Sequence, residues 1–165
     1  MRNFYKILKE GIMILVLIFI LKKTFLTKDD KNFIENINIK LNTIVYLLKN
    51  NHTEQAIELA NKIAFSIPIS ENFKDDFWRI SASELIRTVI LALAEDVVSG
   101  KRETIDMFAV ADILRSSLDD LNDFINYREN SSLAKYTYEN INLMGFRTKN
   151  TVINEAFMSI KFRLK

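Results

Sequence analysis

A chain of 165 residues, 48% hydrophobic and 27% charged, has room for one domain and the balance of a folded protein. Three Gly and one Pro exclude collagen-like and turn-rich β architectures, the lack of Cys excludes disulfides and thiolate chemistry, and a single His excludes mechanisms that need two imidazoles. The net charge of +2 is uneven: residues 1–31 carry a balance of +4, residues 32–144 of −6 and residues 145–165 of +4. An acidic body is a poor duplex-DNA reader, because phosphate contacts need clustered Lys and Arg, whereas a basic start suits an anionic membrane surface.

Residues 11–21 read GIMILVLIFIL, an uncharged run with Lys6 and Lys9 before it and Lys22 and Lys23 after it. A bilayer core takes about 20 apolar residues, so the strict run is short; extending it over residues 4–26 brings in lysines that can snorkel, and Glu10, which is harder to place. The expected role of residues 1–27 is a membrane anchor, with Ile12, Ile14, Leu15, Leu17, Ile18, Phe19 and Leu21 meeting lipid. Two other readings stay open. A secretory signal peptide fits the basic start but finds no small-x-small cleavage site in KKTFLT, and the segment can instead be a helix buried against the body or a partner. Lysines on both sides leave orientation unsettled. With no Cys to suggest an oxidising compartment, the chain is expected to be membrane-associated with its bulk, residues 28–165, in the cytoplasm.

From residue 28 onward the apolar spacing is helical. Phe33, Ile34, Ile37, Leu41, Ile44, Val45 and Leu48 predict a helix over 31–50, with Asp29 and Asp30 before it and a break at Asn50, Asn51 and His52. Thr53 is the expected cap of a second helix ending near Ser66, before Pro68. A third, over 76–98, carries Trp78, Ala82, Leu85, Ile86, Val89, Leu93 and Val97 on one face and Ile80, Ile90 and Leu91 elsewhere, leaving a narrow wet strip, the pattern of a central helix. Gly100 suits its stop. Thr104 is the expected cap of a helix over 105–115 whose apolar residues include Phe108. Leu118, Leu121, Phe124 and Ile125 mark another, with Asp119, Asp120 and Asp123 on its wet side. Ser131 or Ser132 opens a helix reaching Leu143, Gly145 ends it, and Thr148 or Asn150 opens the last. The fold class expected is all-α, a bundle of about seven helices with an N-terminal apolar membrane-proximal helix.

Catalytic equipment is sparse. Neither a G-x-x-x-x-G-K-[ST] phosphate loop nor a G-x-G-x-x-G occurs, so ATP hydrolysis by this chain alone is not expected. His52 lies in an Asn-Asn-His-Thr turn without ligand partners beyond Glu54 and Glu58, and reads as a solvated turn residue. Asp119, Asp120 and Asp123, like Asp75 and Asp76, read as solvated helix starts that complement the helix dipole. Phe73, Phe77 and Trp78 could stack on bases, but Glu71, Asp75 and Asp76 beside them favour a packed helix junction. Arg147, Lys149, Lys161, Arg163 and Lys165 could touch nucleic acid or lipid, or answer a helix C-terminal dipole. No catalytic, cofactor-binding or metal-binding residue is expected, no cofactor is implied, and direct nucleic-acid binding is left open.

Residues 77–96, FWRISASELIRTVILALAED, resemble a segment of the TraG/TraD-type coupling ATPases of type IV secretion and conjugation. There a Phe-Trp pair opens a hydrophobic helix rich in Ala and Leu, and the resemblance continues through residues 104–114, the Tyr136–Tyr138 region and residues 149–164, with residues 42–63 similar to the stretch upstream. The family-like core comprises Phe77, Trp78, Leu85, Ile86, Ile90 and Leu93. The match corresponds to the all-α domain inserted between that family's phosphate loop and its magnesium-site motif, neither of which is present, and no catalytic residue carries over. The resemblance implies a non-catalytic, cargo-facing domain whose partners are a relaxase, secretion cargo or other secretion components, from an intact or a truncated coupling protein. The alternative is a stand-alone membrane-anchored helical adaptor unrelated to DNA transfer.

Overall fold

The computed structural model describes residues 28–69 and 75–164. The anchor expected over residues 1–27, and Glu71, Phe73 and Lys165, lie outside the described residues. Among the described residues there are seven helices and no strand: α1 (Lys28–Lys49), α2 (Thr53–Ser66), α3 (Asp76–Val98), α4 (Met107–Arg115), α5 (Leu118–Asn126), α6 (Leu133–Asn142) and α7 (Phe146–Lys161). None of these is long and apolar enough to cross a membrane.

Local chemistry explains most of the boundaries. α2 stops at Ser66 because Ile67 takes an extended conformation (φ −79°, ψ 118°), as a residue before proline must. α3 unwinds at Gly100, whose φ of +76° is left-handed and costs a glycine little. Asn51, at φ 59°, makes the equivalent turn after α1. Four side chains cap helix starts by accepting a backbone N–H: Asp75 from Phe77 (2.9 Å), Asp106 from Ala109 (2.7 Å), Ser117 from Asp120 (3.1 Å) and Ser132 from Lys135 (3.2 Å). Each such cap contributes about 1 kcal/mol.

Four expected starts are corrected. α1 begins at Lys28, so Asp29 and Asp30 stand inside its first turn. Thr53 is the first helical residue of α2, and the capping position falls to His52, whose side chain makes no capping bond. α4 begins at Met107 rather than after Thr104: the Thr104 carbonyl accepts from Arg102 Nε (2.8 Å), and the Met107 N–H donates to Asn38 Oδ1 on α1 (3.0 Å). α7 begins at Phe146, placing Thr148 and Asn150 within it; Gly145 does not end α6, which stops at Asn142 with Leu143 at its C-cap, but takes the extended N-cap position of α7 (φ −62°, ψ 152°).

α3 organises the rest. It packs against α1, α2, α4, α6 and α7. From Ser81 to Ala94 every residue is buried except Glu84 and Arg87, which form the narrow wet strip. Arg87 Nη1 donates to Asn61 Oδ1 on α2 (2.9 Å). Where α3 meets α6, the buried Thr88 hydroxyl of α3 and Thr137 hydroxyl of α6 lie 3.0 Å apart. Leu41, Ile44, Ile63, Leu114, Leu121, Ile141 and Ile160 surround this axis. Phe108 does not join them; it is exposed.

One carboxylate is poorly served. Glu155 Oε2 on α7 is buried and lacks a hydrogen-bond partner, and burial pushes the carboxyl above its ordinary range. The folded state therefore holds this proton more tightly than the unfolded chain. The stability it contributes is present below the unfolded value of about 4.3 and lost as pH rises through the folded one. Glu155→Gln is expected to raise the urea midpoint at pH 7 while changing it little at pH 4. An equal shift at both pH values would show that the carboxylate is not the source.

Candidate functional site

The largest concentration of buried charge lies where α3 ends. Negative side chains at a helix C-terminus oppose the dipole, yet Glu95 and Asp96 both sit in the last turn of α3. Arg128, from the turn after α5, answers them. Its two terminal nitrogens donate to the two Asp96 carboxylate oxygens at 2.9 Å each, and Nη1 lies 3.6 Å from Glu95 Oε2. Its guanidinium also stacks 4.5 Å from the Phe124 ring centroid. The side chain is 9% exposed, and its Nε is buried without a partner.

Glu95 does a second job. Its carboxylate accepts from the Ser132 hydroxyl (2.7 Å) and the Leu133 N–H (2.6 Å), at the start of α6. Negative charge there is favoured by the dipole of α6, which offsets the penalty at α3. The Asp96 carbonyl accepts the N–H groups of Lys101 (2.9 Å) and Arg102 (3.2 Å), tying down the loop after α3. Lys135 Nζ donates to the Arg128 carbonyl (3.2 Å) and to Asn130 Oδ1 (2.9 Å). A polar depression of about 420 Å³ opens here, with Ser99, Lys101, Tyr127, Glu129 and Ser131 on its rim.

This arrangement joins the end of α3 to the turn after α5 and the start of α6. Asp96 is engaged by the guanidinium, and Glu95 by the Ser132 hydroxyl and the Leu133 N–H. Among the described residues no group of three or more His, Asp or Glu is placed to hold a metal ion.

A second depression, apolar and about 330 Å³, runs between α1 and α4. Ile34 and Ile39 of α1 and Phe108 of α4 line it, with Lys31, Glu35, Asn38 and Asn42 around them. The bond from Met107 to Asn38 fixes the two helices that form it.

The residues singled out from the sequence do not converge. His52 is exposed in its turn, and Asp119, Asp120 and Asp123 are exposed along α5. Asp75 caps α3, and Asp76 pairs with Arg79 at 3.1 Å. Phe77 and Trp78 meet edge to face with centroids 5.1 Å apart. Of the family-like core, Leu85, Ile86, Ile90 and Leu93 are buried and Trp78 packs partly buried against them. Phe77 is 41% exposed and stands outside the core. Tyr138 is buried, donates to Asn122 Oδ1 (2.8 Å), and has its ionisation pushed up to about 12 by burial. Tyr136 is exposed.

The C-terminal cations divide. Arg147 and Lys161 are exposed. Lys149 is buried in the first turn of α7, where its ammonium donates to the Asn142 carbonyl and side-chain oxygen at 3.2 Å each and burial lowers its pKa. Arg163 reaches α1, 3.3 Å from Asp30 and 5.1 Å from the Phe33 ring centroid. The Glu95–Asp96–Arg128 cluster went unrecognised in the sequence. Its available signal was the acidic pair ending a hydrophobic helix, which calls for a cation from elsewhere.

No family model, curated protein or solved structure matches the chain.

Proposed function

We propose that this chain is a non-catalytic helical domain, held at a membrane by residues 1–27, that contacts protein cargo in DNA transfer or secretion. It is related in this reading to the all-α domain of the conjugative coupling proteins. The observation that supports it most is the place of residues 77–96, which carry the resemblance. They fall within α3, the helix against which five others pack. A segment whose likeness lay in a peripheral helix would say less about the domain around it.

The surface is compatible with that role. The body is acidic, and basic relaxases or secretion signals would meet it with complementary charge, which mainly sets specificity and association rate. The apolar depression at Ile34, Ile39 and Phe108 offers a place for side chains of a partner. The same depression is the observation that favours the second reading, a membrane-anchored adaptor with no part in DNA transfer.

The deciding test pairs genetics with binding. DNA flanking the reading frame is sequenced, and a relaxase or effector encoded nearby is purified. Its binding to the detergent-solubilised full chain is then measured at 50 and 300 mM salt. Salt-sensitive binding to such a partner is expected. Unrelated neighbouring genes, with no binding to a relaxase, would overturn the coupling-protein reading in favour of the adaptor.

A further inference from the structure

The start of α1 and the end of α7 are far apart along the chain and meet in space. α1 begins at Lys28, where residues 1–27 join the body, and α7 ends at Lys161. Arg163, just past α7, pairs with Asp30 at 3.3 Å and stacks on Phe33 at 5.1 Å. That contact places the end of α7 beside the first turn of α1. Lys31 and Lys161 are both exposed, and Phe162 between the two C-terminal cations is 63% exposed. Lys22, Lys23 and Lys28 are neighbours in sequence on one side, and Lys165 on the other. Acidic groups at this edge are Asp29 and Asp30, of which Asp30 takes Arg163, and Glu35 lies one turn further along α1.

From this juxtaposition we infer that the start of α1 and the end of α7 form a membrane-docking edge. It engages anionic phospholipid headgroups through Lys31 and Lys161, with Phe162 entering the interface. The inference rests on the reading that residues 1–27 hold the chain at a bilayer. Charge complementarity selects this occupant. Lys28, Lys31, Lys161 and Arg163 outnumber Asp29, Asp30 and Glu35 at this edge, whereas residues 32–144 carry a balance of −6, so an anionic surface favours this end of the bundle over the rest. An exposed aromatic flanked by cations is the composition of an interfacial contact. The geometry also fixes the orientation. α1 spans 22 residues, so the turn after it at His52, and Gln55 in the first turn of α2, stand about 30 Å from the docking edge.

The test uses the full chain and two kinds of vesicle, phosphatidylcholine alone and phosphatidylcholine with 30 mol% phosphatidylglycerol. Each cation near an anionic surface changes partitioning about fivefold at low salt. The K31Q/K161Q double variant is therefore expected to partition 10- to 30-fold more weakly onto the anionic vesicles and equally onto the neutral ones. Both lysines are exposed, so folding should survive, and helical circular dichroism checks it. Because the chain has no Cys, Phe162→Cys and Gln55→Cys each give a single labelling site. A polarity-sensitive thiol dye should shift to the blue at position 162 on anionic vesicles and stay unshifted at position 55. Equal anionic partitioning of wild type and double variant, or a shift at 55 without one at 162, would overturn the docking edge. Loss of binding to single-stranded DNA in the double variant with no effect on anionic vesicles would overturn it in favour of nucleic acid. Failure of the wild type to bind neutral vesicles at high salt would instead overturn the anchor reading, a separate result.

Discussion

Replacing Arg128 with alanine is expected to lower the unfolding free energy by about 3 kcal/mol, the lower end of the range for breaking a buried ion pair. The cost arises less from the lost attraction than from what remains. Asp96 and Glu95, whose side chains are 15% and 21% exposed, would be left half-desolvated at a helix end whose dipole opposes them. Adding Asp96→Asn to Arg128→Ala should therefore recover part of the loss, although Asp96→Asn alone in the native background should destabilise. Urea unfolding of the four species closes a double-mutant cycle. A loss for Arg128→Ala below about 1 kcal/mol, as for an exposed pair, would mean that the cluster is no more than surface electrostatics.

Leu91→Ala should cost about 2–5 kcal/mol, as much as Leu85→Ala on the main apolar face. The sequence pattern puts Leu91 off that face, where an ordinary amphipathic helix would leave it half wet. The structure buries Leu85 and Leu91 alike, with neither exposed at all. Equal losses for the two variants would establish that α3 is enclosed on both sides. A Leu91 loss below about 1 kcal/mol would place it at the surface and contradict the packing of α3 described above.

Boundaries set by neighbouring residues were readable from the sequence. Pro68 acts on Ile67, Gly100 supplies a left-handed turn and Ser132 caps three residues ahead, and all three are local effects. The all-helical class followed from three- and four-residue apolar spacing, which needs no tertiary knowledge. The start of α4 was misplaced although Asp106, which caps it, is a local signal; the other bond at that start, from Met107 to Asn38, spans 69 residues and has no local mark. The Arg128 cluster was missed for the same reason: its partners are 32 positions apart, and nothing near Arg128 marks it as different from other surface arginines. Phe108 and Phe77 show the converse. Both are apolar at helical spacing, yet Phe108 lies exposed on the groove it shares with α1 and Phe77 is 41% exposed beside Trp78.

The enclosure of α3 has a consequence during synthesis. When Val98 leaves the ribosome, α1 and α2 are available to cover one side of it, but α6 and α7 lie downstream. Roughly sixty further residues must be added before α7 is whole, which takes about 3–12 seconds at usual elongation rates. Through that interval a helix rich in Ala, Leu, Ile and Val presents an uncovered apolar flank to its surroundings. The nascent chain should then be a client for holding chaperones, and stalling translation between residues 98 and 133 should yield the species most prone to aggregate.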